Sequence, residues 1–188
     1  MLMLKEHEAF TMVQHGYYDI AELRDHILKY SDEWKIDTSR QELHKIHKDT
    51  ETYLLQDFDL NWEVSDGYHP KILADDPVFW KYVSPIVKDM ELKHDGKAGR
   101  VLIVRLVDEG DIPVHRDYGT YLELSRRHHL PIVTSENVVF SVQDHSVNMK
   151  EGELWEINNA KDHSVKNNGS SQRIHLIFDI IPNRYIVA

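Results

Sequence analysis

The chain contains no cysteine among its 188 residues. That absence excludes a disulfide framework, thiolate zinc sites, iron–sulfur clusters and a cysteine nucleophile, and it fits a reducing compartment. Long hydrophobic runs are missing too. None approaches the ~20 residues of a membrane span, and Met1-Leu2-Met3-Leu4 is too short for a signal-peptide core. The expectation is a soluble, cytoplasmic protein with no membrane partner. Positive charge is scarce: 22 Lys and Arg face 32 Asp and Glu, a net charge of -10. A nucleic-acid partner is therefore not expected, because phosphate contacts need clustered cations. An anionic small molecule needs only one or two local cations and stays open. No repeat, low-complexity tract or Pro/Ser-rich linker occurs, so residues 1–188 are read as one domain, large enough to bury a core without staples.

What the chain does have is histidine, 13 in all. In Ile112-Pro113-Val114-His115-Arg116-Asp117, strand alternation puts His115 and Asp117 on one face. A second imidazole at His163 would complete two histidines and a carboxylate on one side of a metal, with the opposite positions open, the arrangement of non-haem Fe(II) oxygenases. Arg173, ten residues after His163, would add a fixed cation. A lone His-x-Asp carries little weight, since chance supplies roughly one in such a chain; His47-Lys48-Asp49 is a second, with no comparable set downstream. The company of His115 and Asp117 distinguishes them.

In chain order, Asp19 and Glu22 have capping-box spacing, and Ile20, Leu23, Ile27, Tyr30 and Trp34 recur at helical intervals. Leu43 to Gln56 alternates and reads as a strand or bent pair, with His44 and His47 as edge or surface decoration. Asn61 to Ala74 reads as a loop that lies before the core and offers a cover for the site. Asp76-Pro77 starts a second helix with Phe79, Val83, Ile86 and Met90 on one stripe, ending near Lys93 because residues 95–99 are a breaker run. Strands follow at Val101 to Val107, Leu130 to Val133, Val138 to Val142, Leu154 to Ile157 and Ile174 to Ile181. Short strands between turn signals point to a mainly β antiparallel jelly roll flanked by N-terminal helices, with 1–98 as a support region and 99–182 as the core carrying the site. Trp155 reads as core, His128 and His145 as surface or loop residues, and His175 shares a face with Arg173.

Five ordered pieces carry a resemblance: Glu109 to Asp117, Arg127 to Ile132, Gly152 to Ile157, His163 to Asn167 and Arg173 to Asp179. Residues 99–182 resemble the core of the aspartyl/asparaginyl β-hydroxylase-like family of Fe(II)- and 2-oxoglutarate-dependent oxygenases, near the branch of bacterial proline cis-hydroxylases. The resemblance implies a double-stranded β-helix with His115, Asp117 and His163 as iron ligands and Arg173 pairing with the distal carboxylate of 2-oxoglutarate. It gives Arg127 and His129 contacts to the cosubstrate or to an acidic group of the substrate. It further implies hydroxylation of a free or peptidyl amino acid, or an amino-acid-like molecule, using O2 and releasing succinate and CO2. Two alternatives stand beside it: a metal-dependent jelly-roll enzyme without a 2-oxo acid, which would have no need of Arg173, and a non-catalytic binding domain, which would be expected to have lost a ligand. Substrate identity and oligomeric state are not encoded in any motif.

Overall fold

The computed structural model describes residues 8–30 and 47–187. These form eleven strands and three α-helices: β1 (Met12–Tyr17), α1 (Ala21–Tyr30), β2 (Thr50–Asp57), β3 (Lys71–Ile72), α2 (Pro77–Lys93), β4 (Gly96–Leu106), β5 (Asp111–His115), α3 (Thr120–Leu124), β6 (Arg126–Val133), β7 (Val138–Val142), β8 (His145–Val147), β9 (Glu153–Ile157), β10 (His163–Asn167) and β11 (Arg173–Pro182). A seven-stranded sheet runs β1-β9-β6-β11-β4-β2-β3 and a four-stranded sheet runs β5-β10-β7-β8. All pairings are antiparallel. The result is the jelly-roll, double-stranded β-helix architecture.

All ten residues of β11 are buried because the large sheet is covered on both faces. Ile174, Leu176, Phe178 and Ile180 join Leu23 and Ile27 of α1 and Phe79, Val83, Ile86 and Met90 of α2 in the larger core. Each such side chain contributes about 1.5–3 kcal/mol on burial. The alternate residues Arg173, His175, Ile177 and Asp179 point at the other sheet. There a second core, with Ile112, Phe140, Val142 and Val165 and with Trp155 packed against it, closes the sandwich. Both helices are built as read. Asp76 accepts from the backbone N–H groups of Val78 and Phe79, and Pro77 needs no donor at that position. In α1, Asp19 accepts from the Ala21 N–H at 3.1 Å; Trp34 lies outside the described residues.

Several expectations need correction. The run 95–99 is not a break after α2. The turn is over at Asp95 (φ 45°), and Gly96 already opens β4. Gly96 and Gly99 serve close approach within the strand, for a Cβ would sit 2.6 Å from the Ile181 carbonyl oxygen and 2.4 Å from Tyr121 Oη, respectively. The strand placed at 43–56 starts at Thr50 within the described residues, while Leu43, His44 and Ile46 lie outside them. The loop 61–74 contains a 3-10 turn, Val64–Asp66, and the short β3 paired to Gln56 and Asp57; Glu63 receives a hydrogen bond from the Thr120 hydroxyl at the start of α3. His128 is fully buried, 0% exposed, rather than at the surface. Strands β1 and β8 and helix α3 had no clear sequence signal, being short or without alternation.

Candidate metal centre

The register of the small sheet places His163, first residue of β10, directly opposite His115, last residue of β5. Cross-strand partners are neighbours on one face, and the two ring centroids lie 4.1 Å apart. Asp117 follows two residues beyond His115, its backbone N–H donating to the Asn159 carbonyl at 3.0 Å. One donor atom from each of His115, Asp117 and His163 falls within 4.8 Å of the others. The His115 Nε2 to Asp117 Oδ1 distance is 3.8 Å.

Backbone carbonyls fix both imidazoles. Nδ1–H of His115 donates to the Pro113 oxygen at 2.8 Å, and Nδ1–H of His163 to the Lys161 oxygen at 2.9 Å. A carbonyl can only accept, so Nδ1 carries a proton in each ring and Nε2 is turned to the partners, the orientation of a metal-ligating histidine. Burial pushes the pKa of His163 down to about 4, against the pull of Asp117, so this ring is neutral at physiological pH. Asp117 carries the charge. Burial alone would raise its pKa, but the Arg127 cation, His163 and the Asn159 hydrogen bond hold it well below the usual carboxylate range. Two imidazoles and an anionic carboxylate are a donor set that suits a divalent cation such as Fe(II).

Arg127, expected at a bound carboxylate, directs all three guanidinium nitrogens at protein carboxylates. Nη1 donates to Asp117 Oδ2 at 2.6 Å, and Nε and Nη2 donate to the two oxygens of Asp179 at 2.8 and 2.9 Å. Asp179 also accepts from Tyr121 Oη at 3.0 Å, and that oxygen accepts from the Arg100 N–H at 2.8 Å. Asn159 Nδ2 completes the support with a bond to Asp117 Oδ2 at 2.9 Å. The chain Tyr121–Asp179–Arg127–Asp117 therefore orients the carboxylate from behind. Asn159, Asp179 and Tyr121 escaped the sequence reading. Only Asp179 carried a usable signal, being on the Arg173–His175–Ile177 face of β11.

A cavity opens over the three donors, with Arg173, His129, His47, Phe140 and Ile177 in its wall. Arg173 is 1% exposed. Among the described residues no carboxylate pairs with it; Nη2–H donates to His175 Nδ1 at 2.7 Å, and its buried Nε has no partner. Burial lowers its pKa to about 9, which leaves it a cation at neutral pH. Beside it, neither ring nitrogen of the buried His129 has a hydrogen-bond partner, and burial together with Arg173 keeps that ring neutral. Buried polar groups without partners are costly, and the oxygens of an anionic ligand would accept from the Arg173 Nε–H and from the N–H of the His129 ring. His47, read as surface decoration, stands half-buried in the cavity wall with its ring 5.9 Å from that of His115.

Residues 20–182 match the family model described as Aspartyl/Asparaginyl beta-hydroxylase. Similar solved structures include a 2OG-Fe(II) oxygenase family oxidoreductase from Burkholderia pseudomallei, with a TM-score of 0.63 and 12% identity over 94% of this chain and 89% of that one. A Pseudomonas putida prolyl-4-hydroxylase has a TM-score of 0.61 and 9% identity over 93% of this chain and 94% of that one. At such identities these two structures speak for the fold alone. No curated protein matches by sequence.

Proposed function

The chain belongs to the aspartyl/asparaginyl beta-hydroxylase family and is a 2-oxoglutarate-dependent hydroxylase; from that premise we propose the roles of its residues and its substrate class. His115, Asp117 and His163 hold Fe(II), Arg173 takes the distal carboxylate of 2-oxoglutarate, and the product is a hydroxylated amino acid or amino-acid-like molecule, free or peptidyl, with release of succinate and CO2. The observation that carries this reading is Arg173: a buried guanidinium without a carboxylate partner among the described residues, in the same cavity as two imidazoles and a carboxylate.

Bound iron and 2-oxo acid together would supply activation of O2, one atom of which goes to succinate and the other to the product hydroxyl. The protein's residues bind and orient. The backbone bonds at Pro113 and Lys161 keep the Nε2 lone pairs of His115 and His163 turned inward. Arg127 and Asn159 hold Asp117 ionised and fixed. Arg173 offers a planar fork that can make two parallel charge-assisted hydrogen bonds to one carboxylate, with His175 bracing it. His129 supplies a neutral ring within reach of the cosubstrate. Apolar walls at Val104, Ile112, Phe140, Val165 and Ile177 limit water. The amino-acid class of substrate rests on the family, because Arg127 is committed to Asp117 and Asp179. A metal-dependent enzyme working without a 2-oxo acid would leave Arg173 without a ligand.

The test is an anaerobic titration of Fe(II)-loaded protein with 2-oxoglutarate, following the visible metal-to-ligand charge-transfer band. The expected result is a band that disappears in His163→Ala and needs at least tenfold more 2-oxoglutarate in Arg173→Ala. Iron retention without a band at any 2-oxoglutarate concentration would overturn the reading.

A further inference from the structure

On the opposite face of the large sheet, three more histidines and a glutamate converge. His128 lies between Arg127 and His129 on β6, so strand alternation turns it away from the cavity and stacks its ring on Phe178 at 4.9 Å. Its register partner on β9 is Glu156. His15 sits where the β1–β9 register shifts, between Gln14 and Gly16, the kind of bulge that re-aims a side chain. His94 caps the C-terminus of α2. Four segments distant in sequence thus bring one donor atom each to within 4.8 Å of the others.

We propose that His15, His94, His128 and Glu156 form a second metal site, a closed tetrahedral N3O site for a zinc-type divalent cation. The spacings fit. Zinc bonds of about 2.0–2.1 Å to nitrogen in a tetrahedron require donors about 3.3 Å apart. His15 Nε2 is 2.9 Å from Glu156 Oε2, His94 Nε2 is 3.1 Å from His128 Nε2, and His94 Nε2 is 3.6 Å from Glu156 Oε2. The other glutamate oxygen, Oε1, accepts from Arg126 Nη1 at 2.8 Å, which orients the carboxylate as supporting bonds do around metal ligands. Arg126 is in turn ion-paired with Glu8 at 3.0 Å. Burial pushes the pKa values of His94 and His128 down to about 4 and about 3, which keeps both rings in the neutral form that ligates. Four protein donors leave no open position, so the site is structural: it pins β1, at the edge of the sheet, and the end of α2 to β6 and β9. Imidazoles with a single carboxylate and no thiolate suit zinc, and cobalt(II) can report on the same geometry.

The test uses full-length His163→Ala, which lacks a ligand of the candidate centre over the cavity, so that centre contributes little signal. Metal-free protein is titrated with Co(II), then with Zn(II) in competition. The expected outcome is one equivalent of cobalt with intense visible bands of tetrahedral geometry, displaced by one equivalent of zinc, and a higher Tm with metal than without. Adding His94→Gln or His15→Gln should abolish the bands and the Tm increase while circular dichroism stays unchanged; each is read separately, so one folded double variant suffices. Absence of tetrahedral bands in His163→Ala, or bands that survive both substitutions, would overturn the proposal and leave the cluster as a proton-sharing network.

Discussion

Asp117 divides its two oxygens: Oδ1 faces His115 while Oδ2 accepts from both Arg127 and Asn159. A carboxylate used in this way is only as well placed as the cation behind it. Arg127→Met removes that cation from Asp117 and Asp179 together, leaving the buried Asp179 and the half-buried Asp117 without their ion pair. The expected cost is about 3–5 kcal/mol, measured by urea denaturation, with metal affinity at the centre reduced by about 10–100-fold. Arg127→Lys should recover only part, because an ammonium cannot span two carboxylates with a planar fork. His115, Asp117, His163 and Arg173 were legible as a group from their order along the chain, but strand alternation does not place Asp117: β5 ends at His115, and Asp117 reaches the site from the segment after it, tied by its N–H to the Asn159 carbonyl. The commitment of Arg127 was not legible, since it depends on where the segment after β5 passes β6 and on the register of Asp179 against Arg127. Nor was the burial of His128, which follows from its ring being packed among those of Phe178, His15 and His94.

At the scale of elements, β4 is tied to the site twice, through Val104 in the cavity wall and, at its other end, through Gly99. Gly99 gives Tyr121 the space to stand over the strand, and Tyr121 passes a hydrogen bond to Asp179. In Gly99→Ala the new Cβ would lie 2.4 Å from Tyr121 Oη. Although that atom is the end of a side chain, it is fully buried and bonded on both sides, so it cannot move freely. Overpacking of this kind costs about 1–3 kcal/mol. The urea midpoint should fall accordingly, and 2-oxoglutarate affinity should fall less than in Arg173→Ala because the effect reaches Asp117 only through Asp179 and Arg127. Elements with strong local patterns were readable: the stripe and cap of α2, and the β-branched runs of β7 and β11. Glycine was misread. Its usual meaning is a turn, but in β4 it answers to backbone and side chains contributed by β11 and α3, a tertiary reason that no local window contains.

Across the whole molecule, buried histidines set the response to acid. His94, His128 and His163 hold pKa values of about 4, 3 and 4 in the folded state against an ordinary 6.5. Below pH 6.5 the unfolded chain binds protons that the folded chain refuses, so stability falls as pH falls. Each such histidine can contribute on the order of 1.4 kcal/mol per pH unit through this window. Glu156, depressed from 4.5 to about 2, and Asp117, depressed also, extend the loss below about pH 4.5. Metal-free protein should therefore show a steep decline in urea midpoint between pH 7 and pH 5, and His94→Gln should make it shallower. A slope unchanged by that substitution would place the proton uptake elsewhere.

Arg173 sits at the base of a cavity in a chain whose formal net charge is -10. An approaching dianion meets repulsion at long range and attraction only within the last few ångströms, so capture responds to the ionic medium while retention does not. Added salt screens the long-range field, with a Debye length of about 10 Å at 0.1 M, and quickens arrival. Once inside, the carboxylate and the guanidinium are shielded from the electrolyte, and departure is set by that buried pair. With arrival quickened and departure unchanged, equilibrium affinity for the cosubstrate should rise with added salt by the same factor as the association rate.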